Sequence, residues 1–371
     1  MSCGQLGINC EGHSKGVVEM GFSKVCESGY YLASAGLDKL VVLRHGDTGD
    51  WVGTLTGHEA GVWSVCLNDD ATLVASGSGD QTARIWCAVT GDELEKFLLP
   101  EGVSCVDLND KSTLLVTGCL GEDPIVTLFD LNGAGGIPLM TLSGHSRGVR
   151  NAIFCRNSFS ILTSSYDRTV RMWDYVSGME THSIVVPHHA KSLELNADNN
   201  IVTIAYGNSV IFLDTRKFNV LSQRKLDFKV SGASLHPNKE SYICILADGR
   251  LNKYDYVTDN LLDSFFAHKG DPICCVGYSP DGEVYASASC SGEMMLWQQN
   301  VGKKYGLWAS SMDGCSSEDA DDEDEEDDEE EEEEDAEDPE DPEVAEDAED
   351  AEDPEVADDE EDAEDAEDSI S

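Results

Sequence analysis

One local pattern returns seven times between Gly12 and Trp308, and its spacing narrows the fold further than anything else in the 371 residues. The clearest copy runs Gly57-His58, Val62-Trp63-Ser64-Val65, Ala75-Ser76-Gly77-Ser78-Gly79-Asp80 and Thr82-Ala83-Arg84-Ile85-Trp86. A second runs Gly144-His145, Val149, Thr163-Ser164-Ser165-Tyr166-Asp167 and Val170-Arg171-Met172-Trp173-Asp174. Aligned six residues beyond the turn acid, the copies fall at Arg44, Trp86, Phe129, Trp173, Leu213, Tyr254 and Trp297. The intervals are 42, 43, 44, 40, 41 and 43. Each copy consists of short β-branched and aromatic runs separated by turns such as Asn68-Asp69-Asp70 and Ser279-Pro280-Asp281-Gly282, with no long segment of helical period. A period of ~40–45 residues made of short strands marks stacked β units, none of which buries its core alone.

The Gly-His opening and Trp-Asp close resemble the WD40 repeat, a four-stranded blade. Seven copies predict an all-β, seven-bladed β-propeller around a central channel, an architecture that leaves only short sheet edges. The propeller is expected over residues 1–308. Gly12-His13 opens the first blade, so residues 1–12 precede any blade of their own and are expected to give blade seven its fourth strand. The resemblance implies a structural tetrad in the strongest blades: His58, Ser76, Asp80 and Trp86, and again His145, Thr163, Asp167 and Trp173. It would tie the loop before the first strand to the turn between the second and third. His13, Ser34 and Asp38 occupy the same slots in blade one. In blade seven His268 and Ser287 remain, but Ser291 replaces the acid.

A hydroxyl, an imidazole and a carboxylate also compose a catalytic triad. Repetition around the ring argues for the structural tetrad, and no enzyme activity is expected. The motifs GxxxxGK[ST] and HExxH and the EF-hand loop are absent. Gly133-Ala134-Gly135-Gly136 reads as a connection between a third and an outer strand, and His188-His189 has no third ligand at suitable spacing. Neither a cofactor nor a metal is expected. The 13 cysteines are scattered singly except for Cys274-Cys275, without CxxC spacing. They read as small buried hydrophobes in a reducing compartment. Met1 to Gly12 lacks the features of a signal peptide, and no apolar run is long enough to span a bilayer. A soluble, non-secreted protein without membrane insertion is expected.

Charge divides the chain in two. From Glu318 to Ser371 there are 38 acidic and no basic residues in 54 positions, leaving 36 acidic and 24 basic before it, a net −12. Direct nucleic-acid binding is disfavoured, because it rests on Lys and Arg neutralising phosphates. Residues 318–371 are expected to be a disordered acidic tail after a linker at 309–317, since such a segment cannot bury a core. The tail reads either as a counter-ion for basic proteins such as histones or Arg-rich tails, or for a basic patch on the propeller, or as a solubilising appendage. Ser316 and Ser317, followed by Glu318-Asp319, fit phosphorylation by an acid-directed kinase.

Four stretches narrow the match: Arg44-His45-Gly46-Asp47-Thr48-Gly49-Asp50-Trp51, Ala88-Val89-Thr90-Gly91-Asp92-Glu93-Leu94, Lys253-Tyr254-Asp255-Tyr256 and Val301-Gly302-Lys303-Lys304-Tyr305-Gly306-Leu307-Trp308. Together they resemble the serine-threonine kinase receptor-associated protein family, also called unr-interacting proteins. The family's C-terminal extension differs in sequence, so the tail reads as the mark of a divergent paralogue. The resemblance implies a noncatalytic scaffold in the cytoplasm and nucleus. Its partners would be gemin subunits of the survival-of-motor-neuron complex in small nuclear ribonucleoprotein assembly, transforming-growth-factor-β receptors, inhibitory Smads and unr. A chaperone-like binder of basic proteins through the tail is the alternative. For recognition, Trp63 and Arg150 lie five residues after the opening His58 and His145. Family geometry puts that position near the channel rim, with Tyr166 close by.

Overall fold

The computed structural model describes residues 7–299, apart from 122–123, 134–135, 156–158 and 269. The linker at 309–317, the tail at 318–371, Trp308, Ser316 and Ser317 lie outside the described residues. The described chain forms seven four-stranded antiparallel sheets, one per repeat, with no helix among them.

Blade two shows how the sequence builds a sheet. Its strands are Val62–Leu67, Leu73–Ser78, Thr82–Cys87 and Glu93–Leu98, from the channel outward. The second strand is buried on both faces by neighbouring blades, which suits the small run Ala75-Ser76-Gly77-Ser78, whereas the outer strand is largely exposed and carries Glu93, Glu95 and Lys96. Seven hydrophobic clusters fill the spaces between blades. The one joining the last blade to the first combines Cys10, Val17 and Leu32 with Ala286, Ala288, Met294 and Leu296. The circle is closed in hydrogen bonds too: Ile8–Asn9 pairs antiparallel with Met294–Gln298, Ile8 facing Leu296 and Asn9 facing Met295.

Every innermost strand carries a β-bulge at the same place. Its register slips between Val17 and Glu19, Val62 and Ser64, Val103 and Cys105, Val149 and Asn151, Ala190 and Ser192, Val230 and Gly232, and Ile273 and Cys275. A bulge leaves one residue unpaired and re-aims its side chain.

The inner edges of these strands face neighbours too far away to pair with, and unpaired buried backbone groups are costly. Side chains bridge the gap. Val65 N–H donates to Glu19 (3.2 Å), Val106 N–H to Ser64 (3.0 Å), Phe154 N–H to Asp107 (2.8 Å), Ala233 N–H to Ser192 (3.2 Å) and Tyr278 N–H to Ser234 (3.0 Å). Five of the seven blade junctions are latched in this way.

Candidate functional site

Two sets of residues singled out by sequence come together in different places. The first is inside the blades. In blade two Trp86 Nε1 donates to Ser76 Oγ (2.8 Å), which lies 2.7 Å from His58 Nε2, while His58 Nδ1 lies 2.8 Å from Asp80. Blade four repeats this at 2.8, 2.7 and 2.8 Å through Trp173, Thr163, His145 and Asp167. Blade one places His13 2.8 Å from Ser34 and 3.0 Å from Asp38. The acids also accept backbone N–H from Ser14, Glu59 and Ser146, which fastens the entering loop to the turn.

This chain of donors assigns the histidine proton. The hydroxyl accepts from Trp and donates to Nε2, so Nδ1 carries the hydrogen and gives it to the carboxylate. Burial lowers the His58 and His145 pKa values, a shift their acids only partly offset, and keeps both rings neutral. Burial alone would raise Asp167, but hydrogen bonds from Thr169, His145 and the backbone outweigh it and bring it to about 2. Ser34, Ser76, Thr163 and Ser287 are all 0% exposed, so their hydroxyls have no surface from which to attack a substrate.

In blade one Arg44 fills the slot of the closing Trp and is buried. Its guanidinium donates to the carbonyls of Gly49 (3.0 Å) and Glu11. In blade seven Trp297 and His268 both reach Ser287, at 2.9 and 2.8 Å. Among the described residues His268 Nδ1 has no hydrogen-bond partner, and Glu293 stands 3.6 Å away, too far for one.

The second set lies at the channel. A cavity of about 550 Å³ runs between the innermost strands, lined among others by Glu19, Trp63, Asp107, Arg150, Lys191 and Cys274. Trp63, Arg150, Lys191 and Cys274 are all bulge residues of their strands. The position noticed in two blades is therefore general, and Lys191 and Cys274 were missed. Their signal was present in sequence, one residue after the first buried residue of each innermost strand.

Trp63 is half-buried, and its indole packs against Gly79 and Gly102. A Cβ at either glycine would stand 2.8 or 2.7 Å from the ring. Arg150 donates to the Lys191 carbonyl (3.2 Å) and to the Tyr166 hydroxyl (3.3 Å), and Tyr166 in turn packs on His189 with ring centres 5.0 Å apart. Among the described residues no cluster of His, Cys, Asp or Glu is suited to a metal, and no helix is long and apolar enough to cross a membrane.

Two channel carboxylates are unlike those of the tetrads. Solvent reaches Glu19 and Glu194 through the channel, yet protein surrounds both on every side. Burial raises Glu19 to about 7 against the bonds from Ser64 and Val65, and raises Glu194 to about 8 against the single bond from Ser234. Among the described residues the second carboxylate oxygen of Glu194 has no hydrogen-bond partner.

Seven bulged four-stranded blades with buried His-hydroxyl-Trp networks define a WD40 β-propeller. The family described as "WD domain, G-beta repeat" matches residues 49–87, 136–174 and 259–298. Each match begins near the outer strand of one blade and ends with the third strand of the next, so the sequence repeat is offset by one strand from the structural blade. The chain is 40% identical over 308 residues to the serine-threonine kinase receptor-associated proteins of Homo sapiens and Gallus gallus, covering 83% of this chain and 87% of each relative. The protein of that name from Dictyostelium discoideum is 33% identical over 290 residues, 78% of this chain and 97% of its own length. The chain belongs to the serine-threonine kinase receptor-associated protein family, whose WD40 architecture is that of a protein-interaction scaffold.

Proposed function

We propose that this protein is a noncatalytic adaptor whose docking face is the mouth of the channel, centred on Trp63 and Arg150 with Tyr166. The seven-fold bulge carries this reading. It sets one side chain per blade at a common position where regular strand pairing would not leave one, and in two blades that side chain is Trp or Arg, residue types that dominate interface hot spots. The His-hydroxyl-Asp groups serve as fasteners, in keeping with their buried hydroxyls.

The finer role follows from kinship. The relatives' name associates them with serine-threonine kinase receptors, and we extend that association to this chain, with inhibitory Smads as companions. Membership of the survival-of-motor-neuron complex, through gemin subunits and beside unr, is the other role, in the cytoplasm and nucleus. The second reading, a chaperone for basic proteins, is favoured by the 38 acidic residues among the last 54.

Affinity purification of the full chain, of a chain ending at Ser310 and of the Trp63→Ala, Arg150→Ala double variant separates these. The adaptor reading expects a folded double variant that loses at least one partner, by ~2 kcal/mol or more per hot spot. Retention of every partner by the double variant, with losses confined to the shortened chain, would favour the chaperone.

A further inference from the structure

Blade seven differs from the other histidine-bearing blades at the end where those are clamped. In blades one, two and four an Asp in the turn holds the entering loop; here the turn reads Ser289-Cys290-Ser291-Gly292-Glu293, and His268 Nδ1 is left without a hydrogen-bond partner among the described residues. At the same end, the sulfur of Cys274 lies 2.7 Å from that of Cys290. Cys290 N–H donates to Pro272 O (2.9 Å), so in straight register Cys274 would stand two positions away. It is the bulge between Ile273 and Cys275 that brings the thiol of Cys274 back to Cys290.

We propose that Cys274 and Cys290 are a reversible dithiol/disulfide pair, a redox-modification site that staples the innermost strand of blade seven to its turn where the acid clamp is missing. The sulfurs stand 2.7 Å apart against the ~2.03–2.05 Å of a disulfide bond, so only the last fraction of an ångström between them remains to be closed.

Roles within the pair follow from exposure. Cys290 is exposed and Cys274 half-buried. Burial, and then the hydrogen bond with Cys290, push the Cys274 thiol up to about 12. With glutathione disulfide as oxidant, the Cys290 sulfur attacks one glutathione sulfur and expels the other as a thiol. The Cys274 sulfur then attacks the Cys290 sulfur and expels the second glutathione. Two protein S–H bonds and one S–S bond are exchanged for one protein S–S bond and two glutathione S–H bonds, and excess reduced glutathione reverses both steps. The neighbouring Cys275 is the poorer nucleophile, because burial holds its thiol well above the ordinary range. Cys274 lines the same channel as Trp63 and Arg150, but the pair does not depend on the adaptor reading.

The test is full-length protein equilibrated with glutathione disulfide, alkylated, and digested on the N-terminal side of aspartates. Cleavage at Asp281 puts Cys274 and Cys290 on separate peptides. The expected result is a linked peptide pair in the native protein and in Cys275→Ser, absent from Cys274→Ser and Cys290→Ser and reversed by dithiothreitol. The thermal midpoint should rise by roughly 5 °C only where the link forms. Cys290 recovered mainly as its glutathione adduct, a Cys274-Cys275 bridge or a link between chains would overturn the pair. A Cys274–Cys290 link with an unchanged midpoint would overturn the staple.

Discussion

Blades four and five stand side by side and fill the same space by opposite means. In blade four the loop residue His145, the hydroxyl of Thr163, Asp167 and Trp173 form a continuous run of hydrogen bonds. In blade five the positions of His145, Thr163 and Trp173 are taken by Val186, Ile204 and Leu213, exposed by 3%, 0% and 0%. The acid has no counterpart there, because the five-residue turn of blade four shrinks to the two residues Gly207-Asn208, between paired Tyr206 and Ser209. Gly207 adopts φ +51°, which a two-residue hairpin turn favours and glycine accepts readily. Blades three and six take the apolar route as well, with Leu99, Thr117 and Phe129, and with Leu226, Cys244 and Tyr254. A hydrogen-bonded blade therefore fails when one member is lost, because the others stay buried without partners, whereas an apolar blade loses only the transferred surface and the cavity.

The largest expected effect tests whether ring volume outweighs the polar network. Trp173→Ala should cost about 4 kcal/mol and Phe129→Ala a similar amount, since both delete a buried ring. Denaturant unfolding measures both, and a Trp173→Ala cost far above that of Phe129→Ala would show that the network contributes more than its share of volume. Asp167→Ala should cost about 2 kcal/mol, by leaving the His145 ring N–H and the Ser146 N–H unpaired. The Asp167 contribution is complete above its unfolded value of 3.8 and declines as pH falls towards 2. The lowered pKa of His145 acts earlier: below 6.5 the unfolded chain takes up a proton that the folded ring resists, so acidification weakens the fold. Asp167→Ala with an unchanged midpoint at pH 7 would remove the network from the account of blade four.

Blade five has the opposite pH response in one residue. Glu194 is raised from 4.5 to about 8, so the unfolded chain releases its proton first, and stability declines as pH rises between those values. Glu194→Gln keeps an acceptor for Ser234 and removes the charge, and should stabilise by about 1–2 kcal/mol at pH 8 with no effect near pH 4. Midpoints of the variant and the native protein that run parallel across that range would mean the carboxylate is solvated within the channel.

The seven blades and their offsets were legible because repetition averages over local noise. Even the three apolar blades kept the spacing of the closing residue at Phe129, Leu213 and Tyr254. The placement of Trp63 and Arg150 near the channel came from one aligned position read with the geometry that the family resemblance implies. What escaped reading depends on register. A bulge has no residue type of its own, so only the aligned position, and no likeness of side chain, links Lys191 and Cys274 to Trp63, and Cys274 and Cys290 are 16 residues apart with no bridge-like spacing. Glu19 and Glu194 belong to no motif, and only closure of the ring puts them in a confined channel.

The smallest effect probes blade seven, which stands between the two types. It has His268, Ser287 and Trp297 but Ser291 where blades two and four have an acid, and His268 Nδ1 is the member without a partner. Ser291→Asp supplies the missing acceptor at the position of Asp80 and Asp167, and should add about 1 kcal/mol. Two local terms keep the gain small. The Ser291 hydroxyl gives up its 2.8 Å contact with Ser289, and Glu293 occupies the place of Thr82 and Thr169, which donate to the acid in the complete blades. A second carboxylate there repels the new one. Adding Glu293→Thr turns that repulsion into a donor, so the double variant should exceed Ser291→Asp alone. If the double variant is no more stable than the native protein in denaturant unfolding, the lack of an acid in blade seven is a matter of loop geometry, and its orphaned imidazole nitrogen costs the fold nothing.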